Sequence, residues 1–349
     1  LRKPSKKGWL LCFKMNLYFS IIVPVYNRPE EIRELLESLV QQDFKKSYEV
    51  VIVEDGSLES SGDIVKKFEK DLQISYYFKE NSGPGDSRNF GMQKAKGNYF
   101  IILDSDCILP KQYLVEVDKE LKRDFVHCFG GPDAADDSFT TVQKAINYVM
   151  TSFFTTGGIR GSSNSIGKFQ PRSFNMGISK EAFAKAGGFG RIHPGEDPDL
   201  TFRIWKAGYT SRLFPKAFVY HKRRIDWNKF YIQVNKFGMV RPILNKWHKG
   251  TARLTYWFPT LFMVGLITSA LLAVTGFIFP LLVFAAYFLT LFIDSLIKNK
   301  SFIVAYLSIF AALTQFIGYG TGFLKSTILL NFSNKEPEKL FPKLFFKRK

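Results

Sequence analysis

Cysteine is nearly absent from this chain: Cys12, Cys107 and Cys128 are the only three in 349 residues. An odd number without metal-type spacing argues against a disulfide framework and a structural zinc site, and for free thiols in a reducing compartment. Acidic residues are scarce as well, 31 against 49 Lys and Arg, for a formal net charge of +18. That imbalance asks for an anionic partner. The basic residues form no recognised nucleic-acid motif and mostly flank apolar segments, so phosphates and acidic membrane lipids are expected rather than nucleic acid. A triphosphate loop is also missing. Gly83-Pro84-Gly85-Asp86-Ser87-Arg88-Asn89 has neither the Lys-Ser/Thr ending of a P-loop nor the spacing of a dinucleotide fingerprint. Trp9 to Phe13 is too short an apolar patch to span a bilayer, and no small-residue cleavage pattern of a secretory signal follows it. With Leu1 first and Met15 just before the first strand, residues 1–17 read as a basic N-terminal extension or weak surface anchor. The domain that follows is then expected in the cytosol.

What the chain does have is apolar residues in abundance, 46% of the total, with 36 Phe. Runs such as Phe19 to Pro24, Tyr48 to Val53, Ile74 to Phe78 and Tyr99 to Leu103 are β-branched and aromatic, which suits buried parallel strands. Between them, apolar residues at helical spacing (Ile32, Leu35, Leu36, Leu39, Val40) and the stretches Ser61 to Asp71 and Gly85 to Lys94 predict helices. Strand–helix alternation at these lengths argues for an α/β fold with a doubly wound, mostly parallel, Rossmann-like sheet. Past Phe125 the pattern is less regular. Short strands are expected at Val126–Phe129, Ser173–Ile178 and Arg212–Tyr220, helices at Lys180–Ala186 and Asp197–Ala207, and a mobile loop at Thr156–Lys168.

After His221 the character changes. Residues 226–256 mix Trp227, Phe230, Tyr231, Phe237, Trp247 and Tyr256 with Lys and Arg, a composition suited to a headgroup interface. Phe258 to Ile297 is about twice the roughly 20 residues that cross a bilayer. Phe277-Ile278-Phe279-Pro280 divides it into spans near 258–276 and 279–297. Phe302 to Leu324 is a third apolar stretch, with Gln315 and several glycines, and residues 326–349 form a basic tail. The helical membrane region, residues 257–325, therefore has two or three spans. Two return the chain to the cytosol at Lys298-Asn299-Lys300, in keeping with the positive-inside rule; a third full span puts the basic tail outside, against it.

The polar residues at the strand ends carry the chemistry. Asp104 and Asp106 follow Tyr99–Leu103 directly, and ligands of open α/β sheets bind beyond the carboxyl ends of strands. Residues two apart on an extended chain project to one side. The pair thus offers oxygen ligands to Mg²⁺ or Mn²⁺, which complete their shells with phosphate oxygens and water. A lone Asp-x-Asp is more often a solvated turn; what separates this one is its company. Asp55 ends another strand and is either a turn residue or an acceptor for a base or ribose. Arg88 rides a helix opened by Gly83-Pro84-Gly85, where phosphate binds well. Glu196-Asp197-Pro198-Asp199 opens a helix after Gly195; such carboxylates are favoured there for structural reasons, and one can also act as a general base. His221 is a structural histidine, a third metal ligand or a diphosphate contact, and Lys222, Arg223 and Arg224 are candidates for phosphate or lipid.

Taken in order, Pro24-Val25-Tyr26-Asn27, Glu54-Asp55-Gly56-Ser57, Gly83-Pro84-Gly85 with Arg88-Asn89, Asp104-Ser105-Asp106 and Gly195-Glu196-Asp197 resemble the family 2 glycosyltransferases over residues 18–225. The resemblance implies a GT-A fold and inverting transfer from a nucleotide diphosphate sugar, with a divalent cation (Mg or Mn). By similarity, Pro24, Tyr26, Asn27, Asp55, Arg88, Asp104 and Glu196 would line the nucleotide sugar, Asp104, Asp106 and His221 would hold metal and diphosphate, and Asp197 would be the base. The Gln-x-x-Arg-Trp sequence of processive members is absent; Gln233-Val234-Asn235-Lys236-Phe237 is a distant echo of it. The expected acceptor is a lipid-linked saccharide or other glycan, and the expected place is the cell membrane, multi-pass, with the catalytic domain in the cytosol. The alternatives are a nucleotide-binding component of a lipid or glycan transport system, and a nucleotidyltransferase. Too few helices count against the first, and the missing triphosphate loop counts against the second.

Overall fold

The computed structural model describes residues 16–134, 139–157, 168–221 and 226–346. Cys12 and the rest of residues 1–15, most of the expected loop 156–168, and Lys222, Arg223 and Arg224 lie outside the described residues. The chain divides into two compact units. One comprises Leu1–Asp136, Ser163–Lys222 and Phe346–Lys349, the other Asp137–Ser162 and Arg223–Phe345.

The first unit is the α/β one. In chain order its elements begin β1 (Phe19–Val25), α1 (Pro29–Val40), β2 (Tyr48–Asp55), α2 (Gly62–Phe68), β3 (Gln73–Lys79), α3 (Pro84–Lys94) and β4 (Tyr99–Leu103). They continue with β5 (Cys107–Ile108), α4 (Tyr113–Arg123), β6 (Cys128–Gly130) and β7 (Asp133–Ala134). Helix α5 (Thr141–Thr151) belongs to the second unit. The first resumes with β8 (Asn175–Ser179), α6 (Lys180–Ala186), α7 (Glu196–Lys206), β9 (Ser211–Leu213) and β10 (Val219–His221).

Seven strands form one sheet in the order β3-β2-β1-β4-β8-β6-β9. The β1–β2, β1–β4, β2–β3 and β6–β9 pairs are parallel, and β8 runs antiparallel to both its neighbours. Alternation along the strands explains the two-sided core. Ile21, Val23, Val50, Ile52, Ile101 and Leu103 pack on one face with α1 and α4 through Leu35, Leu36, Tyr113 and Val117. Ile22, Val51, Val53, Phe100 and Ile102 pack on the other with Met92, Ala182, Leu200 and Ile204 of α3, α6 and α7. Each fully buried Val, Ile or Leu stabilises by roughly 1.5–3 kcal/mol, so neither face tolerates a charge. Strand order reverses at β1, which has β2 and β3 on one side and β4 on the other, and that is where open α/β sheets bind ligands.

A second small sheet, β5-β10-β7, sits past the end of β4. It corrects one expectation. Arg212 to Tyr220 is not one strand but two, β9 in the large sheet and β10 in the small one. Pro215 lacks a donor for a central ladder, and the chain turns there, with Ala217 N donating to the Phe214 carbonyl at 3.1 Å.

The second unit is helical: α5, then α8 (Trp227–Trp247), α9 (Phe258–Val274), α10 (Phe279–Asn299) and α11 (Phe302–Phe332). Ile146, Val149, Phe230, Val234, Phe262, Leu291, Ala311 and Phe316 form its core. The aromatic, basic stretch of the sequence is thus largely one helix, α8. Glycines let helices approach closely: a Cβ on Gly238 or Gly322 would strike the backbone of the facing helix. Thr260 Oγ1 of α9 donates to the Gly320 carbonyl at 3.1 Å. Among the described residues, three helices are long and apolar enough to cross a membrane: Leu254–Val274, Phe279–Asn299 and Phe302–Phe332.

Candidate active site

The carboxyl ends of β1, β2 and β4 deliver the site residues. Beyond β1, Tyr26 is 52% exposed, and Asn27 takes a left-handed conformation, φ 52°, that Asn adopts more readily than most residues. Its N–H donates to Ser57 Oγ at 2.7 Å and its Oδ1 accepts from Leu58 N at 2.7 Å, which latches the β1 end to the β2 end. Pro24 precedes this turn within β1. Glu54, fully buried, anchors the same loop by accepting from Ser57, from both N and Oγ of Ser61, and from Tyr76 OH.

Asp55 is 3% exposed. It accepts from Lys79 Nζ at 2.6 Å, Ser82 N at 3.0 Å and Gly83 N at 2.9 Å. Lys79 is its register partner across β2 and β3. Asp55 therefore shapes the turn into α3 through its own chain contacts and presents an ordered edge beside Tyr26 and Asn27.

Arg88 is the hub on the other side. Its Nη2 donates to Asp104 Oδ1 at 2.7 Å and its Nη1 to Glu196 Oε1 at 3.2 Å. The guanidinium carbon stands 5.4 Å from the centre of the Phe189 ring. Burial works against the Arg88 charge, and Asp104, Glu196 and Asp197 together outweigh it. Glu196 also accepts from His193 Nδ1 at 3.0 Å. Burial opposes its ionisation, yet His193 and Arg88 hold its carboxyl down to about 2. Asp197 shifts the opposite way: burial and the neighbouring Glu196 raise it, against Arg88 and Arg172. Its Oδ1 is shielded from solvent and has no hydrogen-bond partner among the described residues. Asp199, the third carboxylate of this turn, is taken by Arg203 at 2.7 Å.

Asp106 lies between two cationic or potentially cationic groups. Arg28 Nη1 is 2.8 Å from its Oδ2, and His221 Nε2 is 3.1 Å from its Oδ1. Burial opposes ionisation, and His221 and Arg28 outweigh it, leaving the carboxyl below its usual range. Register explains the meeting: β10 runs antiparallel to β5 with His221 opposite Cys107, next to Asp106. The Phe174 ring stacks on the imidazole, centroids 5.0 Å apart and 15° from parallel.

Asp106, Cys107 and His221 offer ligand atoms within 4.8 Å of one another. The oxygen and imidazole of this set fit a divalent cation. In an octahedral shell with bonds of about 2.1 Å, adjacent ligand atoms stand about 3 Å apart, which is the Asp106–His221 spacing. The Cys107 thiol fits less well. Burial pushes it well above its usual range, its Sγ donates to the Phe174 carbonyl at 3.4 Å, and hard cations prefer oxygen. Asp104, 31% exposed at its side chain, keeps one carboxylate oxygen clear of Arg88.

The structure thus brings Asp104, Arg88, Glu196 and Asp197 into one cluster and Asp106 and His221 into another, with Asp55 turned towards Lys79 and Gly83. Sequence reasoning passed over Arg28, Lys79, His193 and Phe174. A register argument alone would have found Lys79, and Arg28 directly follows the Asn27 turn; His193 and Phe174 carry no local signal.

Residues 20–186 match the family model described as Glycosyl transferase family 2. Among curated relatives, the poly(ribitol-phosphate) beta-N-acetylglucosaminyltransferase TarS of Staphylococcus aureus (strain Mu50 / ATCC 700699) is 40% identical over 99 residues. That is 28% of this chain and 17% of TarS. Chondroitin synthase of Escherichia coli is 26% identical over 238 residues, 58% of this chain and 34% of that protein. The matches cover between 12% and 34% of the curated relatives' lengths. Among solved structures, the mannosyltransferase PcManGT from Pyrobaculum calidifontis, in complex with GDP-Man and Mn²⁺, shares the fold with a TM-score of 0.57. It does so at 16% identity over 93% of each chain. The chain carries a family 2 glycosyltransferase domain of GT-A fold, followed by a helical region with three candidate membrane-spanning helices.

Proposed function

We propose that this protein is a membrane-associated, inverting glycosyltransferase. It moves a sugar from a nucleotide diphosphate donor to a lipid-linked or other glycan acceptor in cell-surface polysaccharide or glycoconjugate synthesis. The observation that carries the reading is Asp197: a carboxylate of raised pKa, its Oδ1 without a partner, beside the Asp104–Arg88–Glu196 chain. Glu196 and Asp199 are held by Arg88, His193 and Arg203, which leaves the Asp197 Oδ1 to take a proton.

In the reaction, the acceptor hydroxyl oxygen forms a bond to the anomeric carbon while the bond from that carbon to the diphosphate oxygen breaks. The hydroxyl proton passes to Asp197, and the electron pair leaves with the nucleoside diphosphate. Attack from the face opposite the leaving group inverts the configuration. A carboxylate of raised pKa is a better base than an ordinary one. Asp106 and His221, with the open oxygen of Asp104, would hold Mg²⁺ or Mn²⁺, which supplies charge neutralisation at the departing diphosphate. Arg88 fixes Asp104 and Glu196 in place and keeps positive charge close to that diphosphate. Tyr26, half exposed beside the Asn27 turn, offers a ring face to the base, and Asp55 orders the edge on which the ribose would rest.

The apolar helices favour an acceptor held at the bilayer and a multi-pass arrangement. The basic Lys298 and Lys300 after α10 favour a cytosolic catalytic domain. The test is a panel of nucleotide sugars given to the membrane-extracted protein, with radiolabel followed into lipid. Asp197→Asn should keep nucleotide binding and lose transfer by roughly 10²–10⁴-fold. Transfer at the wild-type rate in that variant would remove Asp197 as the base.

A further inference from the structure

The segment that follows the apolar helices comes back to the first unit. Phe346 N donates to the Arg191 carbonyl at 3.1 Å, and its ring centroid is 5.9 Å from that of His193. It packs so closely on Gly83 that a Cβ there would stand 2.4 Å from Phe346 Cδ2. Gly83 is the residue whose N–H binds Asp55 and which opens the helix bearing Arg88; His193 is the partner of Glu196. Phe346 thus touches residues from two sides of the candidate site, and it belongs to the same compact unit.

We propose that this returning segment is a working part of the catalytic domain. Phe346 is a positioning residue for the Gly83 turn and for His193, and the chain crosses the bilayer an even number of times. The second half rests on the membrane reading above. The chain leaves the first unit after Lys222 and re-enters it at Phe346. A chain that starts and finishes on one face of a bilayer has made an even number of crossings, whereas three helices are long and apolar enough to cross.

The odd one out is α11. α9 and α10 are joined through Gly276, and α10 ends at Lys298 and Lys300, as a pair of spans returning to the cytosol should. The most apolar window of α11 is 39% buried against protein, compared with 17% for α9 and 11% for α10, so α9 and α10 present far more of themselves to lipid. The glycine face of α11 lies on α8. A Cβ on Gly318 would press on Val234, one on Gly322 would strike the Asn235 carbonyl, and Asn235 Nδ2 donates to the Gly318 carbonyl at 3.0 Å. α8 carries Lys229, Lys236, Arg241 and Lys246, charges that are costly in hydrocarbon and at home among headgroups. α8 therefore holds α11 at headgroup level, and the basic tail stays on the catalytic side.

Two measurements decide it, and neither needs sugar transfer. In the chain carrying Cys12→Ser, where Cys107 and Cys128 are buried, one accessible cysteine at a time is added by Phe277→Cys in the α9–α10 turn or Lys339→Cys in the tail. Whole cells are then treated with a membrane-impermeant maleimide. Phe277→Cys should label from outside and Lys339→Cys only after permeabilisation. Labelling of Lys339→Cys from outside overturns the even count, and failure of both to label in intact cells overturns the crossing itself. In the second measurement, calorimetry of UDP and GDP should show Phe346→Ala binding the preferred nucleotide roughly fivefold more weakly, the loss expected from one aromatic contact. Phe346→Leu should restore most of that affinity. Unchanged affinity in a Phe346→Ala protein with wild-type thermal stability overturns the positioning role.

Discussion

His221 Nε2 meets Asp106 Oδ1 at 3.1 Å, although one residue ends the short strand β10 and the other precedes β5. The stacked Phe174 ring fixes the imidazole plane, and Arg28 holds the second carboxylate oxygen of Asp106. If this pair is the cation site, Asp106→Ala should abolish metal-dependent donor turnover. His221→Gln should raise the Mn²⁺ concentration needed for half-maximal rate by about 10–100-fold, the scale on which losses at metal sites fall. Initial rates against Mn²⁺ concentration check both. Undiminished turnover by Asp106→Ala would end the assignment.

Arg28 acts on that carboxylate without being a metal ligand. Arg28→Met should therefore leave protein stability close to wild type, since the pair is partly exposed and such pairs contribute little. The Asp106 carboxylate would lose one of its two fixed directions, so a several-fold rise in the Mn²⁺ requirement is expected with the maximal rate largely kept. The same titration reads it.

The Glu196–His193 pair predicts how stability depends on pH. The Glu196 carboxyl is held at about 2 against a usual 4.5, so its contribution is complete above pH 4.5 and is lost as pH falls towards 2. The His193 imidazole is raised above its usual 6.5: burial opposes its charge, but Glu196 outweighs burial. Its contribution is complete below pH 6.5 and is lost as pH climbs through the raised value. Thermal midpoints should accordingly be highest between about pH 4.5 and 6.5 as far as this pair is concerned. His193→Gln should flatten the alkaline side of that profile. A variant with the same alkaline slope as wild type would show that His193 does not carry it.

Much of this arrangement is legible in the sequence, and the reason is local. β1, β2 and β4 announce themselves because strands buried on both faces must be apolar throughout, and Asp55, Asp104 and Asp106 stand out because they break those runs at the strand ends. Glu196 and Asp197 mark a helix start for the same reason. The residues that tune them are set by tertiary meetings. His193 reaches Glu196 through a turn with no periodic signal, and His221 reaches Asp106 through the pairing of a two- and a three-residue strand. Phe174 meets His221 from the turn before β8, and Arg28 is an ordinary surface arginine by pattern. Sequence reasoning passed over helix α5 although Val142, Ala145, Ile146 and Val149 stand at helical spacing. The split of Arg212–Tyr220 into β9 and β10 turns on Pro215, whose effect on a ladder depends on which strands flank it. The return of Phe346 is a contact between residues far apart in sequence, which hydropathy along the chain cannot register.

Gly91 offers a test of how the helix bearing Arg88 is seated. It faces the sheet, where an added Cβ would stand 2.7 Å from Ile22 Cγ2 and 3.2 Å from Val53 Cγ2. Both neighbours are fully buried and β-branched, so neither swings aside easily, and α3 must lift. Overpacking of this kind costs about 1–3 kcal/mol, whereas the higher helix propensity of alanine returns at most about 1 kcal/mol. Gly91→Ala should therefore lower stability on balance, read as a reduced denaturation midpoint. Arg88 sits one turn earlier on the same helix with its guanidinium bridging Asp104 and Glu196, so a lifted α3 stretches contacts of 2.7 and 3.2 Å. Transfer by the folded fraction should then fall as well. A variant that loses stability but keeps full transfer would show that α3 is free to shift without moving Arg88, and that the Arg88 bridge is held from the carboxylate side instead.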